Sequence, residues 1–227
     1  MEAYVMDAFS ARIFGGNQAG VVLPDRPLSD AVMRQIAAEF KHSETAFVTR
    51  EPDGSVSLRY FTPAGEVELC GHATVASFAL LRQLGSVPDG DCTAHTKAGE
   101  LTVTVRGDTV WMDMAPPQLL ADIPSDERAA LYAAYGLTAG DCPAGYIPRI
   151  VSTGLADIML PVRDHDTLMR AVQNAPAVTE LSRKYDVTGV HMFCPGADGV
   201  TAWCSNYAPL YDIPEECATG TSNGALT

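Results

Sequence analysis

The sequence predicts an α+β protein built from two similar domains, and three observations predict it. Runs that read as strands outnumber those that read as helices along the whole chain. The segment FTPAGEVELCGHATVASFALL, beginning at Phe61, has a counterpart in YAPLYDIPEECATGTSNGAL, beginning at Tyr207. A proline-rich stretch, PPQLLADIPSDE, separates the two halves and marks a junction, giving domains over 1–116 and 117–227.

The elements follow in order. AYVMDAFS and GVVLP read as short strands, and the GGN turn at Gly15 to Asn17 lies between them. No GK[ST] or GxGxxG follows that turn, so it is not a phosphate loop. It is expected to supply a left-handed turn, with Asn17 bonded to nearby backbone. LSDAVMRQIAAEF reads as a helix: Ser29 caps it, Asp30 suits its first turn, and Val32, Met33, Ile36, Ala37 and Phe40 share a face. ETAFVTR and SVSLRYF form a strand pair around EPDGS. ATVASFALLRQLG is a second helix that stops at Gly85. ELTVTVRGDTVWMDMA is a hairpin turning at RGD. The second half reads as a strand PRIVSTGLADIMLPV, helices DHDTLMRAVQN and VTELSRKYD, then strands GVHMFCPG and VTAWCSNYA.

Composition excludes several classes of function. A hydrophobic share of 47% supports a real core, and a charged share of 19% is too low for a disordered tail protein. With 15 basic against 28 acidic residues the net charge is −13, which repels phosphate backbones and anionic lipid. No apolar run approaches the roughly 20 residues that span a bilayer, and MEAYVMDAFS lacks the features of a secretory signal. Nucleic acid and membrane are therefore not expected partners, and a cytoplasmic location is expected. The cysteines at 70, 92, 142, 194, 204 and 217 show no CxxC pair, and the five histidines form no HExxH or HxH pattern. They read as reduced thiols and no dedicated metal site.

Aligning Phe61 with Tyr207 and Pro63 with Pro209, with three extra residues in the second copy, sets Cys70, Gly71 and His72 opposite Thr219, Gly220 and Thr221. In each copy a strand ends at aromatic-x-Pro, an acidic loop follows, and a Gly-containing turn opens a helix. Helix N-termini carry free N–H groups and partial positive charge, so two of them suit a carboxylate or an enolate-like charge. A duplication in which the glycines serve sterics alone is the competing reading.

Four motifs carry a resemblance to a known family: DAFSARIFGGNQAGVVL from Asp7, HSETAFV from His42, LRYFTPAGEVELCGHAT from Leu58, and NYAPLYDIPEECATGTSNGAL from Asn206. Spread in order over nearly the whole chain, they resemble the phenazine-biosynthesis isomerase (PhzF-like) family within the diaminopimelate-epimerase-like fold. The resemblance implies two similar domains, each a curved, mostly antiparallel sheet wrapped around a central helix, with the active site in the cleft between them. It also implies a homodimer and no cofactor. The activity implied is an isomerase that moves a proton within a small unsaturated or amino carboxylic acid.

The resemblance further implies that Glu44, in SET, is the general acid/base. The residues are compatible with this: a carboxylate entering such a strand either turns into a cleft or leaves to solvent as an ordinary edge glutamate, and a partly desolvated one would have a raised pKa that suits proton shuttling. His72 shapes the pocket, with Cys70, Gly71 and Ala73 beside it. In the second copy the family shows Asp, Pro, any residue, Thr, Gly, Ser. Here Glu216 stands for the Asp, Cys217 for the Pro and Thr221 for the Ser, while Ser205 replaces an Arg. Glu216 is expected to orient the acid and Thr219, Gly220 and Thr221 to hold it; the departures bear on the substrate more than on the reaction class. Related racemases use one thiol per domain. Cys70 fits the first, but Thr219, a poorer base, occupies the partner position. A one-base Glu44 isomerase is preferred over a two-thiol racemase and over a silent anion-binding protein. Ser222 to Thr227 is expected to begin the second central helix, and the chain is expected to lack material found at the C-terminus of full-length relatives.

Overall fold

The computed structural model describes residues 1–12, 14–197 and 199–226 of the 227-residue chain. The chain divides into two compact units, Met1–Asp113 and Met114–Thr227.

The first unit contains β1 (Glu2–Ala8), β2 (Asn17–Leu23), α1 (Asp30–Phe40), β3 (Thr45–Arg50), β4 (Val56–Phe61), β5 (Glu66–Val67), α2 (Gly71–Gln83), β6 (Gly90–Thr96), β7 (Gly99–Arg106) and β8 (Thr109–Met112). Its sheet runs β1-β2-β3-β4-β6-β7-β8, with β5 beside β4. Among the described residues two pairs are parallel, β2 with β3 and β4 with β6. A parallel pair needs a long crossover, and α1 and α2 supply the two. Strand alternation sorts the side chains to opposite faces. Ala46, Val48, Leu58 and Tyr60 meet α2, while Phe47 and Phe61 pack with Met33 and Ala37 of α1. The helix α2 touches β1, β2, β3, β7 and β8, strands from both ends of the sheet, so the sheet curls around it. That is why α2 is apolar and small nearly all round, burying Ala73, Ala76, Phe78, Leu80 and Leu81. By contrast α1 covers one side only: Ser29 caps it, Met33 and Ala37 are buried, and Val32 at its margin is exposed.

The second unit contains β9 (Gln118–Asp122), α3 (Arg128–Ala133), β10 (Arg149–Ser152), β11 (Ala156–Pro161), α4 (His165–Met169), α5 (Ala175–Tyr185), β12 (Gly189–Pro195), β13 (Ala202–Ala208), β14 (Ile213–Glu216) and α6 (Gly220–Leu226). Its sheet runs β14-β13-β12-β11-β10-β9, and among the described residues only β11 and β12 pair in parallel. Ile158, Leu160, Val190, Met192 and Tyr207 form a core with Leu131, Leu168 and Val178 of α3, α4 and α5. The alternate residues Asp157, His191 and Asn206 point to the α6 face.

The duplication is visible in topology. In the first unit β1-β2-β3-β4-β5 is followed by α2; in the second, β10-β11-β12-β13-β14 is followed by α6. The parallel pair falls at the same place in both, β2 with β3 and β11 with β12. Thr45 pairs with Phe61, and Val190 pairs with Tyr207. With Phe61 equivalent to Tyr207, Glu44 is therefore equivalent to Gly189.

Several expected elements differ. Gly15 and Gly16 are not left-handed; Phe9 (φ 63°) and Phe14 (φ 64°) are. Gly16 is needed for close approach instead, since a Cβ there would lie 2.2 Å from the Ala8 carbonyl oxygen. The strand read over 148–162 is two, because Gly154 (φ 121°) turns the chain between β10 and β11. The helix read over 164–174 ends at Met169. Beyond it, Val172 N–H and Asn174 N–H donate to the carbonyls of Tyr135 and Ala134, so tertiary bonds replace helical ones. The strand β6 was not anticipated: its sequence GDCTAHT is too polar to signal, yet Ala94 is fully buried. The strands β5, β9 and β14 and the short α3 were also not anticipated. The helix expected to begin near Ser222 is present as α6; Thr227, its last expected residue, lies outside the described residues.

Candidate active site

A short link carries the chain from α1 to the first candidate residue. Lys41, left-handed at φ 59°, ends α1 and returns its N–H to the Ala37 carbonyl. Three residues later Glu44 stands at the mouth of β3, its carbonyl oxygen accepting from Gly20 N–H at 3.3 Å. Its carboxylate meets the first turn of α2. Oε2 lies 3.6 Å from Nε2 of His72, and Nδ1 of that ring lies 3.4 Å from Sγ of Cys70. His72 and Cys70 are buried, and the Glu44 side chain keeps about a fifth of its exposure. Burial raises the Glu44 pKa above the ordinary 4.5; hydrogen bonds from Ser43 and Cys70 oppose the rise without cancelling it.

The turn that carries these groups is held from below. Cys70, extended at φ −142° and ψ 109°, precedes α2, and its carbonyl accepts twice: from Thr74 N–H at 3.0 Å and from Thr74 Oγ1 at 2.7 Å. Because that hydroxyl proton is committed, Tyr60 OH must donate to Thr74 Oγ1, at 2.6 Å. The chain thus connects buried β4 to the residue that starts α2. Gly71 opens the helix, and Ala73 turns its methyl into the core, which leaves only its backbone to face a ligand.

The second unit repeats the arrangement with different chemistry. Thr219 caps α6, accepting from Ser222 N–H at 3.5 Å. Asn223 donates from Nδ2 to the Thr219 carbonyl at 2.6 Å, as Thr74 does to Cys70. Beneath it, Ser222 Oγ donates to Asp157 Oδ2 at 2.6 Å, and His191 lies between Asn206 (3.1 Å) and Asn223 (3.2 Å). The Asn223 amide nitrogen is committed to Thr219, so its oxygen is the atom that faces Nε2 of His191. Burial raises the Asp157 pKa and lowers that of His191. Where the first unit has Ala19, Ala46, Tyr60 and Thr74, the second has Asp157, His191, Asn206 and Asn223. Gly220 begins α6, and the Thr221 carbonyl accepts from Thr153 Oγ1 at 3.1 Å. Glu216 ends β14, half-buried, with Cys217 exposed beside it.

The structure therefore assembles Glu44, Cys70, Gly71 and His72 at one helix start, and Glu216, Thr219, Gly220 and Thr221 around the equivalent start in the other unit. Sequence reasoning missed Tyr60, Thr74, Asp157, His191 and Asn223. The signal available was the alignment itself, which sets polar Thr74 opposite polar Asn223 four residues after each helix-starting residue. The equivalent of Glu44 is Gly189, where an added Cβ would lie 2.0 Å from the Tyr207 carbonyl oxygen, so the second unit has neither a carboxylate there nor room for one.

Residues 6–227 match the family described as phenazine biosynthesis-like protein. The chain belongs to that family. It is 33% identical to the uncharacterized isomerase YddE of Escherichia coli O157:H7, over 99% of this chain and 77% of YddE. An uncharacterized isomerase of Deinococcus radiodurans is 36% identical over 93% of this chain and 70% of its own. Among solved structures, a PhzF-family protein of Bacillus anthracis superposes with a TM-score of 0.89 at 28% identity, covering all of this chain and 79% of its own. A probable proline racemase of Agrobacterium radiobacter shares the fold, with a TM-score of 0.55 at 14% identity over 94% of this chain and 72% of its own. The chain is thus an isomerase of the PhzF family with a diaminopimelate-epimerase-like fold. Among the described residues no helix is long and apolar enough to cross a membrane.

Proposed function

We propose that this isomerase moves a proton within a small unsaturated or amino carboxylic acid without a cofactor, and that Glu44 removes and returns that proton. The observation that carries the reading is a desolvated carboxylate at a helix start, 3.6 Å from the His72 imidazole. Desolvation makes Glu44 a stronger base than an exposed glutamate, and a raised pKa suits giving the proton back. His72 would donate to the substrate carboxylate or relay the proton. Gly71, with the backbone of Cys70 and Ala73, and Thr219, Gly220 and Thr221 would hold the acid, and Glu216 would orient it. A homodimer is the assembly proposed, and the domains 1–116 and 117–227 are its functional halves.

The asymmetry between the units supports one base rather than two, since Gly189 and the capping Thr219 replace the groups a second base would need. The second reading, a base at Cys70, is favoured by its thiol lying 3.4 Å from the His72 ring. Turnover and binding of a candidate acid by Glu44→Gln separate the two. Loss of a general base should lower kcat by roughly 10²- to 10⁴-fold with Kd little changed. A mild effect in Glu44→Gln together with a dead Cys70→Ala would favour the thiol, and an acid bound but never turned over by the wild type would favour a binding protein.

A further inference from the structure

The Glu44–Cys70–His72 cluster has a second chemical capacity. A carboxylate oxygen, a thiol sulfur and an imidazole nitrogen lie within 4.8 Å of one another. Carboxylate, thiolate and imidazole are the donor types that hold Zn²⁺, at about 2.0–2.3 Å in tetrahedral geometry, which puts neighbouring donor atoms about 3.3–3.5 Å apart. Here Nε2 of His72 lies 3.6 Å from Oε2 of Glu44 and 4.0 Å from Sγ of Cys70. Around one ion the His72–Glu44 and His72–Cys70 separations would close by roughly 0.1–0.7 Å, and the Glu44–Cys70 separation, bounded by 4.8 Å, would close with them. Two of the donors are fixed by α2, because Cys70 and His72 flank Gly71 at its first turn. The third comes from the mouth of β3, and its partial exposure leaves a path for an ion. No spacing rule finds this set in the sequence, because the fold brings Glu44 to residues 26 and 28 positions later.

We propose that Glu44, Cys70 and His72 form a three-ligand site for one thiophilic divalent cation, Zn²⁺ by preference, with a fourth position open to water. Binding exchanges the thiol proton for the metal: the proton leaves to solvent and the thiolate, carboxylate and neutral imidazole donate to the ion. The site does not depend on the function proposed above. If that function also holds, the ion occupies the base and inhibits, and a chelator restores activity.

The test is calorimetric titration of the chelator-washed full chain with ZnCl₂, paralleled by CoCl₂ with absorbance reporting a thiolate–cobalt bond. One equivalent per chain is expected, with the thiolate–cobalt band present. Cys70→Ala should lose the band and weaken Zn²⁺ binding beyond the roughly 10- to 100-fold that even an outer-shell change costs. Glu44→Gln, at a partly exposed side chain, should weaken binding and keep the band. Cys217→Ser, at an exposed thiol outside the cluster, should change neither. Absence of one-equivalent binding, or binding that survives Cys70→Ala, overturns the site. Proton exchange by the metal-free wild type is scored separately: exchange without Zn²⁺ binding sinks only this inference, and Zn²⁺ binding without exchange sinks only the proposed function.

Discussion

In the proposed reaction, little separates Glu44 from an ordinary surface glutamate. Nothing in its own chemistry is unusual; its position at the strand mouth, against the first turn of α2, removes enough water to raise its pKa above 4.5. A base works deprotonated, so activity should rise as pH climbs through that raised value. The acidic limb of a kcat/KM profile should therefore lie above 4.5, and Glu44→Gln should remove the limb along with most of the rate. His191 runs in the opposite sense. Its folded pKa is held below 6.5, first by burial, so the neutral ring is the folded form. Its contribution to stability is fully present above 6.5 and is lost as pH falls below that value toward the folded pKa. Asp157 beside it is raised, so its contribution has the opposite slope, present below 3.8 and lost as pH rises. Denaturant unfolding of wild type and His191→Gln at several pH values between 7.5 and 5.5 should show the wild type losing stability faster on acidification. Parallel curves would contradict the assignment.

At the scale of elements, the two central helices are started by the same device, a polar side chain reaching back four residues to a carbonyl. In α2 that device is Thr74, and its hydroxyl also satisfies the buried Tyr60. Thr74→Val keeps the shape and leaves Tyr60 OH without its acceptor, an uncompensated buried group costing about 1–3 kcal/mol. A denaturant midpoint should fall accordingly, and because the helix start carries His72 and Cys70, kcat should fall with it. An unchanged midpoint would show that Tyr60 finds another partner. The strongly periodic elements were legible in the sequence: α1 with its Ser29 cap, the β3–β4 pair, and α2 with Gly85 beyond it. The failures have physical causes. The strand β6 is held by its neighbours β4 and β7 rather than by its own apolar pattern, and α4 stops early because the carbonyls of Ala134 and Tyr135, just after α3, take the backbone N–H groups of Asn174 and Val172.

The whole molecule is a duplication whose copies have diverged at their helix starts. The alignment of Phe61 with Tyr207 foretold this topology, and the strand registers extend it to residues no sequence alignment would pair, such as Glu44 with Gly189. The grouping of Glu44, Cys70 and His72 was only half legible. CGH is contiguous, but Glu44 arrives through the β3–β4 register and the crossover of α2. The polar layer of Asp157, His191 and Asn206 was hidden because each is a single polar residue in an otherwise apolar strand. This divergence leaves the first unit with a partly desolvated carboxylate, Glu44, at the mouth of β3, where the second unit has Gly189, and in the proposed reaction that one base serves.

The most direct measurement is deuterium incorporation from heavy water into a bound small carboxylic acid, followed by mass spectrometry for wild type, Glu44→Gln and Cys70→Ala, each washed free of metal. Wild type and Cys70→Ala should exchange a carbon-bound proton, and Glu44→Gln should do so at least about 10²-fold more slowly. Full incorporation by Glu44→Gln, or its loss in Cys70→Ala alone, would contradict the account.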